Sequence, residues 1–167
     1  MDKIRTEITL LQKPFWHAAC WLLHVIDEQR LPLKVFETKR SENRQNLLKS
    51  RGTSKASFGD SPHNFGLAMD LVLDTNRIRV RERDWKGKMY PDAWDDTTPA
   101  AVDVWLKLGD LCKGMDLEWG GSWISDGGKI KKNSKGQEVV LGWDLPHVEM
   151  RNWRKFKNWD KEYDDRK

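Results

Sequence analysis

Two short stretches hold residue types that could do chemistry together. "SPHNFGLAMD", residues 61–70, carries His63 and Asp70 seven positions apart, with Gly66 and Ala68 between them. "DLPHVEM", residues 144–150, carries Asp144, His147 and Glu149. Asp70 lies inside "GLAMDLVL", an apolar run that reads as a buried strand. Alternation puts Leu67, Met69, Leu71 and Leu73 on one side of it and Ala68, Asp70 and Val72 on the other. An ionised carboxylate there is costly unless a cation or several donors meet it. His63, Asp70 and His147 would make a His–Asp–His set, and three protein ligands plus one water is the composition of a catalytic zinc site. A carboxylate outside that set could take a proton from water; Asp144 is nearest by sequence, then Glu149 and Glu118. Glu149 shares its strand face with His147 and could instead orient that ligand. Read singly, each stretch has a plainer account: a hydrogen-bonded His–Asp pair for the first, an aspartate-capped turn for the second.

The elements that must position these groups follow from periodicity. Residues 13–30 place Phe15, Ala19, Leu22 and Ile26 at helical spacing, with His17 and His24 read as surface or boundary residues. "LKVFET", 33–38, reads as a short strand. "SENRQNLLKSRG", 41–52, reads as a helix with Ser41 as N-cap and Gly52 just past its end. Thr98-Pro99 opens another helix, with Val102, Trp105, Leu108 and Cys112 turned inward and a stop near Gly114. "LGWDLPHVEM", 141–150, reads as a second buried strand, with Pro146 arguing for an edge or for its first residues. Between "LEWGGSW" and "DLPH", the Gly/Lys-rich segment reads as an exposed hairpin or a flap over 124–143. Helices interspersed with few, hairpin-connected strands make the class α+β, a small antiparallel sheet flanked by helices.

The bulk properties set limits. A chain of 167 residues suits one domain, and ten tryptophans supply much of its core. Cys20 and Cys112 form no C-x-x-C pair and read as reduced, buried thiols. No stretch approaches the roughly 18 apolar residues of a membrane span, and the N-terminus shows no signal-peptide pattern. The formal charge of +4 is compatible with an anionic partner such as a nucleic acid or a wall polymer. Basic residues interleave with aromatics in "RNWRKFKNW", as in single-strand binders. The reading preferred is a terminal amphipathic helix whose Trp153, Phe156 and Trp159 pack on the body, with no nucleic-acid partner and a monomeric state.

"SPHNFGLAMD" resembles the S-x-H-x-x-G-x-A-x-D signature of the zinc peptidases that include D-Ala-D-Ala carboxypeptidases and phage L-alanyl-D-glutamate endopeptidases. Asp144 to His147 resembles that family's D-x-x-H segment, "LEWGGSW" its tryptophan-glycine segment, and "ETKRSENRQ" its arginine-bearing strand-to-helix segment; together they span about 35–150. The resemblance implies one zinc ion held by His63, Asp70 and His147, with Asp144 as general base. It implies Arg40 as the group that steadies the substrate carbonyl or oxyanion, Ser61 as a residue that ties down the loop or contacts substrate, and Trp119 as a substrate contact. Thr38-Lys39 stands where the family often has Gly-aromatic, and the 124–143 segment is longer than in compact endopeptidases. The implied activity is hydrolysis of a peptidoglycan stem peptide, with the aspartate base pointing to the L-alanyl-D-glutamate bond. A D-Ala-D-Ala carboxypeptidase is the alternative within the family; a non-catalytic wall-binding or nucleic-acid-binding module is the alternative outside it. With no signal peptide in view, the expected setting is a phage-type lysin made in the host cytoplasm that reaches the wall after release.

Overall fold

The computed structural model describes residues 3–75, 93–125 and 127–158. Helix α1, Lys13–Glu28, starts with a proline in its first turn and buries Phe15, Ala19, Leu22 and Ile26, the stripe its spacing predicts. His17 and His24 are exposed on it. Helix α2, Glu42–Ser50, is capped by the Ser41 side chain, which accepts from the Arg44 N–H at 3.2 Å. Helix α3, Pro99–Gly114, turns Ala101, Val102, Trp105, Leu108 and Cys112 inward. Its start is tied down by a residue the sequence reading passed over: Asp95 accepts from the backbone N–H groups of Thr97 and Thr98.

Strands β1 (Leu33–Glu37), β2 (Ala68–Leu73), β3 (Leu117–Trp119) and β6 (His147–Met150) form one antiparallel sheet in the order β1-β2-β6-β3. Strands β4 (Lys129–Lys132) and β5 (Glu138–Leu141) form a separate hairpin. This is the α+β architecture expected. Alternation divides the main sheet into two unlike faces. Leu67, Met69, Leu71, Leu73, Leu117, Trp119 and Val148 join α1 and α3 in one hydrophobic cluster, which Leu141 of the hairpin also enters. The opposite face carries Asp70 with His147 directly across from it, then Ala68 across from Glu149 and Glu149 across from Glu118.

Two expectations change. The single strand read over 141–150 is two strands, β5 and β6, separated by residues 142–146. The chain leaves the ladder because Gly142 passes directly over residues 120–123; a Cβ there would lie 2.6 Å from the Gly120 carbonyl oxygen. Pro146 has no N–H to donate, yet its carbonyl still accepts from the Leu71 N–H at 2.8 Å. β6 lies between β2 and β3, so it is an interior strand, and Pro146 stands just before its first residue. The tail, read as a helix, forms a 3-10 turn at Trp153–Lys155, with Trp153 buried and stacked on Phe65 at 5.7 Å between centroids. Phe156 packs against the core, and Trp159 lies outside the described residues. The hairpin expected after "WGGSW" is present and lies against α3: Lys131 and Lys129 pair with Asp96, and Asp103 accepts from the Ser134 N–H. Cys112 is buried and Cys20 half-buried; both are free thiols, and burial pushes Cys112 up to about 12, which leaves it protonated and unreactive.

Candidate metal centre

Antiparallel register makes the site. Asp70 on β2 faces His147 on β6, and the 3-10 turn Pro62–Phe65 delivers His63 to the same face. That turn can end in a strand because Gly66 takes φ +68, where a Cβ would come within 2.6 Å of the Leu10 carbonyl oxygen. His63 Nε2, Asp70 Oδ1 and His147 Nδ1 then stand 3.2 Å from one another, three atoms at the corners of an equilateral triangle. All three residues are buried.

The partners of the other ring nitrogens decide what these three atoms are. His63 Nδ1 lies 2.6 Å from the Thr38 carbonyl oxygen, which can only accept, so Nδ1 carries the proton and a neutral ring presents a lone pair at Nε2. His147 Nε2 lies 2.9 Å from Glu149 Oε2, so that nitrogen donates and Nδ1 presents the lone pair. Asp70 Oδ1 is an acceptor as well. With both rings neutral, three lone pairs converge with no hydrogen among them. Such a set repels unless a proton or a cation occupies the centre. Tetrahedral zinc with ligands at about 2.0–2.1 Å spaces its ligand atoms about 3.3–3.4 Å apart, so the spacing and the donor types fit that ion.

The surroundings hold this geometry in place. Arg40 donates from Nη2 to Asp70 Oδ2 at 2.7 Å and from Nε to Glu37 Oε2 at 2.6 Å; Arg44 donates to Glu37 Oε1 at 2.9 Å. Glu37 is 1% exposed, and the two guanidiniums satisfy its buried charge. Thr38 is buried too, its hydroxyl within reach of the Arg5 and Glu7 carbonyls, so residues 5–7 brace the carbonyl that orients His63. Burial works to raise Asp70, but His63, His147 and Arg40 outweigh it and hold the carboxyl well below the usual carboxylate range. For His147, burial works downward, and the hydrogen bonds with Asp70 and Glu149 carry it up to about 10. Asp144 is raised, first by burial and also by the Asp70 charge, against the pull of His147, His63 and Arg40.

The residues singled out in the sequence therefore sort by position. His63, Asp70 and His147 meet, Glu149 bonds the outer nitrogen of His147, and half-buried Asp144 lies within the electrostatic reach of all three. Arg40 is engaged by Asp70 and Glu37, a position from which it orients a ligand. Ser61 is buried at the start of the His63 turn, its carbonyl accepting from the Asn64 N–H. Trp119 faces the core: its indole donates to the Leu145 carbonyl at 2.7 Å, and its ring fills the space over Gly109 and Gly121. It braces the loop that bears Asp144 and offers little surface to a substrate. Sequence reasoning missed Thr38, Glu37 and Trp123. The Trp123 ring lies 5.2 Å from that of His147, and its indole donates to Glu118 at 2.9 Å. Glu37 had a signal, an acid three residues before Arg40 and seven before Arg44; Thr38 acts through its backbone carbonyl and had none.

A family profile described as D-alanyl-D-alanine carboxypeptidase matches residues 54–128, which include His63 and Asp70. Peptidoglycan L-alanyl-D-glutamate endopeptidase CwlK of Bacillus subtilis (strain 168) is 29% identical over 123 residues, covering 70% of this chain and 59% of that protein. The chain resembles this peptidase family. It spans less than two thirds of that relative's length. The likeness extends to the fold: the crystal structure of Serratia marcescens L-Ala D-Glu endopeptidase ChiX aligns at a TM-score of 0.54 with 17% identity, over 90% of this chain and 86% of that one. The structure of the LdcB LD-carboxypeptidase aligns at 0.53 with 15% identity, over 96% of this chain and 68% of its own. Among the described residues no helix is long and apolar enough to cross a membrane.

Proposed function

We propose that this chain is a zinc-dependent peptidase, acting as a single catalytic domain on the stem peptide of peptidoglycan, with the L-alanyl-D-glutamate bond as its target. The convergence of three lone pairs in a 3.2 Å triangle carries the reading. The likeness to CwlK and ChiX supports the choice of bond. His63 Nε2, Asp70 Oδ1 and His147 Nδ1 would hold the ion, and Glu149 and the Thr38 carbonyl would fix the two rings. When bound, zinc supplies Lewis-acid activation of water and of the scissile carbonyl.

The remaining work belongs to side chains. Asp144, half-buried within the electrostatic reach of His63, Asp70 and His147, would accept a proton from the attacking water at its carboxylate and hand it to the leaving amine. Arg40 fixes Asp70 through Oδ2 and keeps a permanent positive charge beside the triangle, where negative charge develops on the reacting carbonyl. Zinc-loaded Asp144→Asn protein should keep its metal and lose about 10²–10⁴-fold in turnover, read as free amines released from purified peptidoglycan. Wild-type turnover by that variant would refute the base assignment. Absence of amine release by the metal-loaded wild-type chain would refute the peptidase and favour a wall-binding module. Carboxypeptidase action on the same stem is the second reading, favoured by the description of the matching family profile. Mass spectrometry separates the two, since loss of one terminal D-alanine differs from a cut after L-alanine.

A further inference from the structure

An aromatic ledge leads away from the metal triangle. From His147 the Trp123 ring is 5.2 Å away, Trp143 is 5.5 Å beyond it, and Lys55 Nζ stands 5.6 Å over the Trp143 ring. Trp143 and Lys55 are exposed, with Trp143 at 54%, large for a tryptophan beside a buried polar centre. None of the three belongs to the ligand set or its supports.

The ledge is built by the fold. Gly142 passes so near the 120–123 segment that a Cβ would lie 2.7 and 2.8 Å from the Trp123 backbone oxygen and nitrogen, and its N–H donates to the Gly121 carbonyl at 2.7 Å. That close pass sets the two indoles side by side. Lys55 is held by α2. Gln45, fully buried in α2, donates from Nε2 to Ser54 Oγ and to the Ala56 carbonyl, each at 2.9 Å, and so pins both neighbours of Lys55. These bonds hold the chain on either side of Lys55, and its ammonium stands over the Trp143 ring.

An extended peptide advances about 3.3–3.6 Å per residue, so these steps fall within the length of a short peptide whose scissile carbonyl sits at the triangle. Indole faces favour the flat amides of such a backbone, and an ammonium at the far end favours a carboxylate. We propose that Trp123, Trp143 and Lys55 form a subsite that recognises a free carboxylate of an acidic peptide substrate. This deepens, and rests on, the peptidase reading.

The test is equilibrium binding of L-Ala-γ-D-Glu-L-Lys-D-Ala and of its two mono-amidated forms, blocked at the D-Glu α-carboxylate or at the C-terminus. Tryptophan quenching is read before turnover, with and without added zinc. One of the two amidations should weaken binding to the wild type by up to about fivefold, the upper end for an exposed ion pair. Lys55→Met should erase that difference and Lys55→Arg restore it. The subsite is overturned if neither amidation matters in the wild type, or if the preference persists in Lys55→Met. The readout is binding, so the two ideas fail separately. A carboxylate preference without amine release refutes the peptidase and leaves the subsite; cleavage without the preference refutes the subsite alone.

Discussion

Glu149 offers the sharpest test of how the ligand set is organised. Its one described bond there is to the outer nitrogen of His147, Nε2, at 2.9 Å, in a residue 7% exposed. If that bond fixes the tautomer, Glu149→Leu frees the ring to rotate or to carry its proton on Nδ1, and either change removes a ligand lone pair for part of the time. Loss of such a support costs about 10–100-fold in metal affinity, or about 1.4–2.7 kcal/mol, and a buried charge-assisted bond belongs at the upper end of that span.

A second effect opposes the first. In the metal-free protein His147 is held up to about 10, with Glu149 among the causes, so zinc must displace a proton at neutral pH. Removing Glu149 weakens that proton's hold and gives back part of the affinity. The two effects separate along pH. Wild-type apparent zinc affinity should climb steeply from pH 6 to 8.5, by up to about tenfold per unit. The Glu149→Leu curve should be shallower and fall further below wild type as pH rises. Glu149→Gln retains an acceptor oxygen and should lie between them. Competition against a chromophoric chelator measures all three curves, with circular dichroism to verify folding. Coincident wild-type and Glu149→Leu curves would refute the orienting role.

Other consequences are simpler. His63→Ala and His147→Ala should each abolish stoichiometric zinc binding, as measured by elemental analysis of the dialysed protein. Trp119→Phe leaves the Leu145 carbonyl without its donor and should cost about 1–3 kcal/mol in a urea titration, lowering activity through the Asp144 loop with zinc content intact. Gly66→Ala forces an L side chain to φ +68 against the Leu10 carbonyl and should destabilise by more than the roughly 1–2 kcal/mol of that backbone region alone. In the metal-free protein, the raised His147 contributes stability that is fully present below its unfolded value near 6.5. That contribution should fade as pH rises toward about 10, visible as a declining melting temperature that added zinc reverses.

Much of this was legible in the chain. Helix α1 and helix α3 bury the positions their periodicity marked, because an apolar stripe at helical spacing has one face to hide. The alternation in "GLAMDLVL" put Asp70 on the face opposite Met69 and Leu71, which is where the sheet carries it. The break at 142–146 escaped, because its cause is a close approach between residues twenty apart in sequence, and periodicity is blind to contacts of that kind. Trp119 and Trp123 sit four residues apart in one tryptophan-glycine segment, yet one fills the core and the other borders the metal site. Trp119 is seated by the register of β3 against β6, whereas Trp123 lies past the 3-10 turn Gly120–Ser122, beyond that strand.

Charge explains why this face of the sheet tolerates what it holds. Glu37, Asp70, Asp144, Glu149 and Glu118 stand against two guanidiniums, Arg40 and Arg44, an excess of three acids if both imidazoles are neutral. The metal-free protein answers by holding a proton on His147; Asp144 is raised mainly by its burial, with the Asp70 charge adding to it. A divalent ion held by His63, Asp70 and His147 would do the same work with two charges; His147 would give up its proton and Asp144 would stand near a cation. The pKa of Asp144 should therefore fall when the metal binds. An infrared carboxyl band that titrates at lower pH after zinc addition, and is absent from Asp144→Asn, would show that coupling; a band indifferent to zinc would place Asp144 outside the field of the ion and remove it as the base.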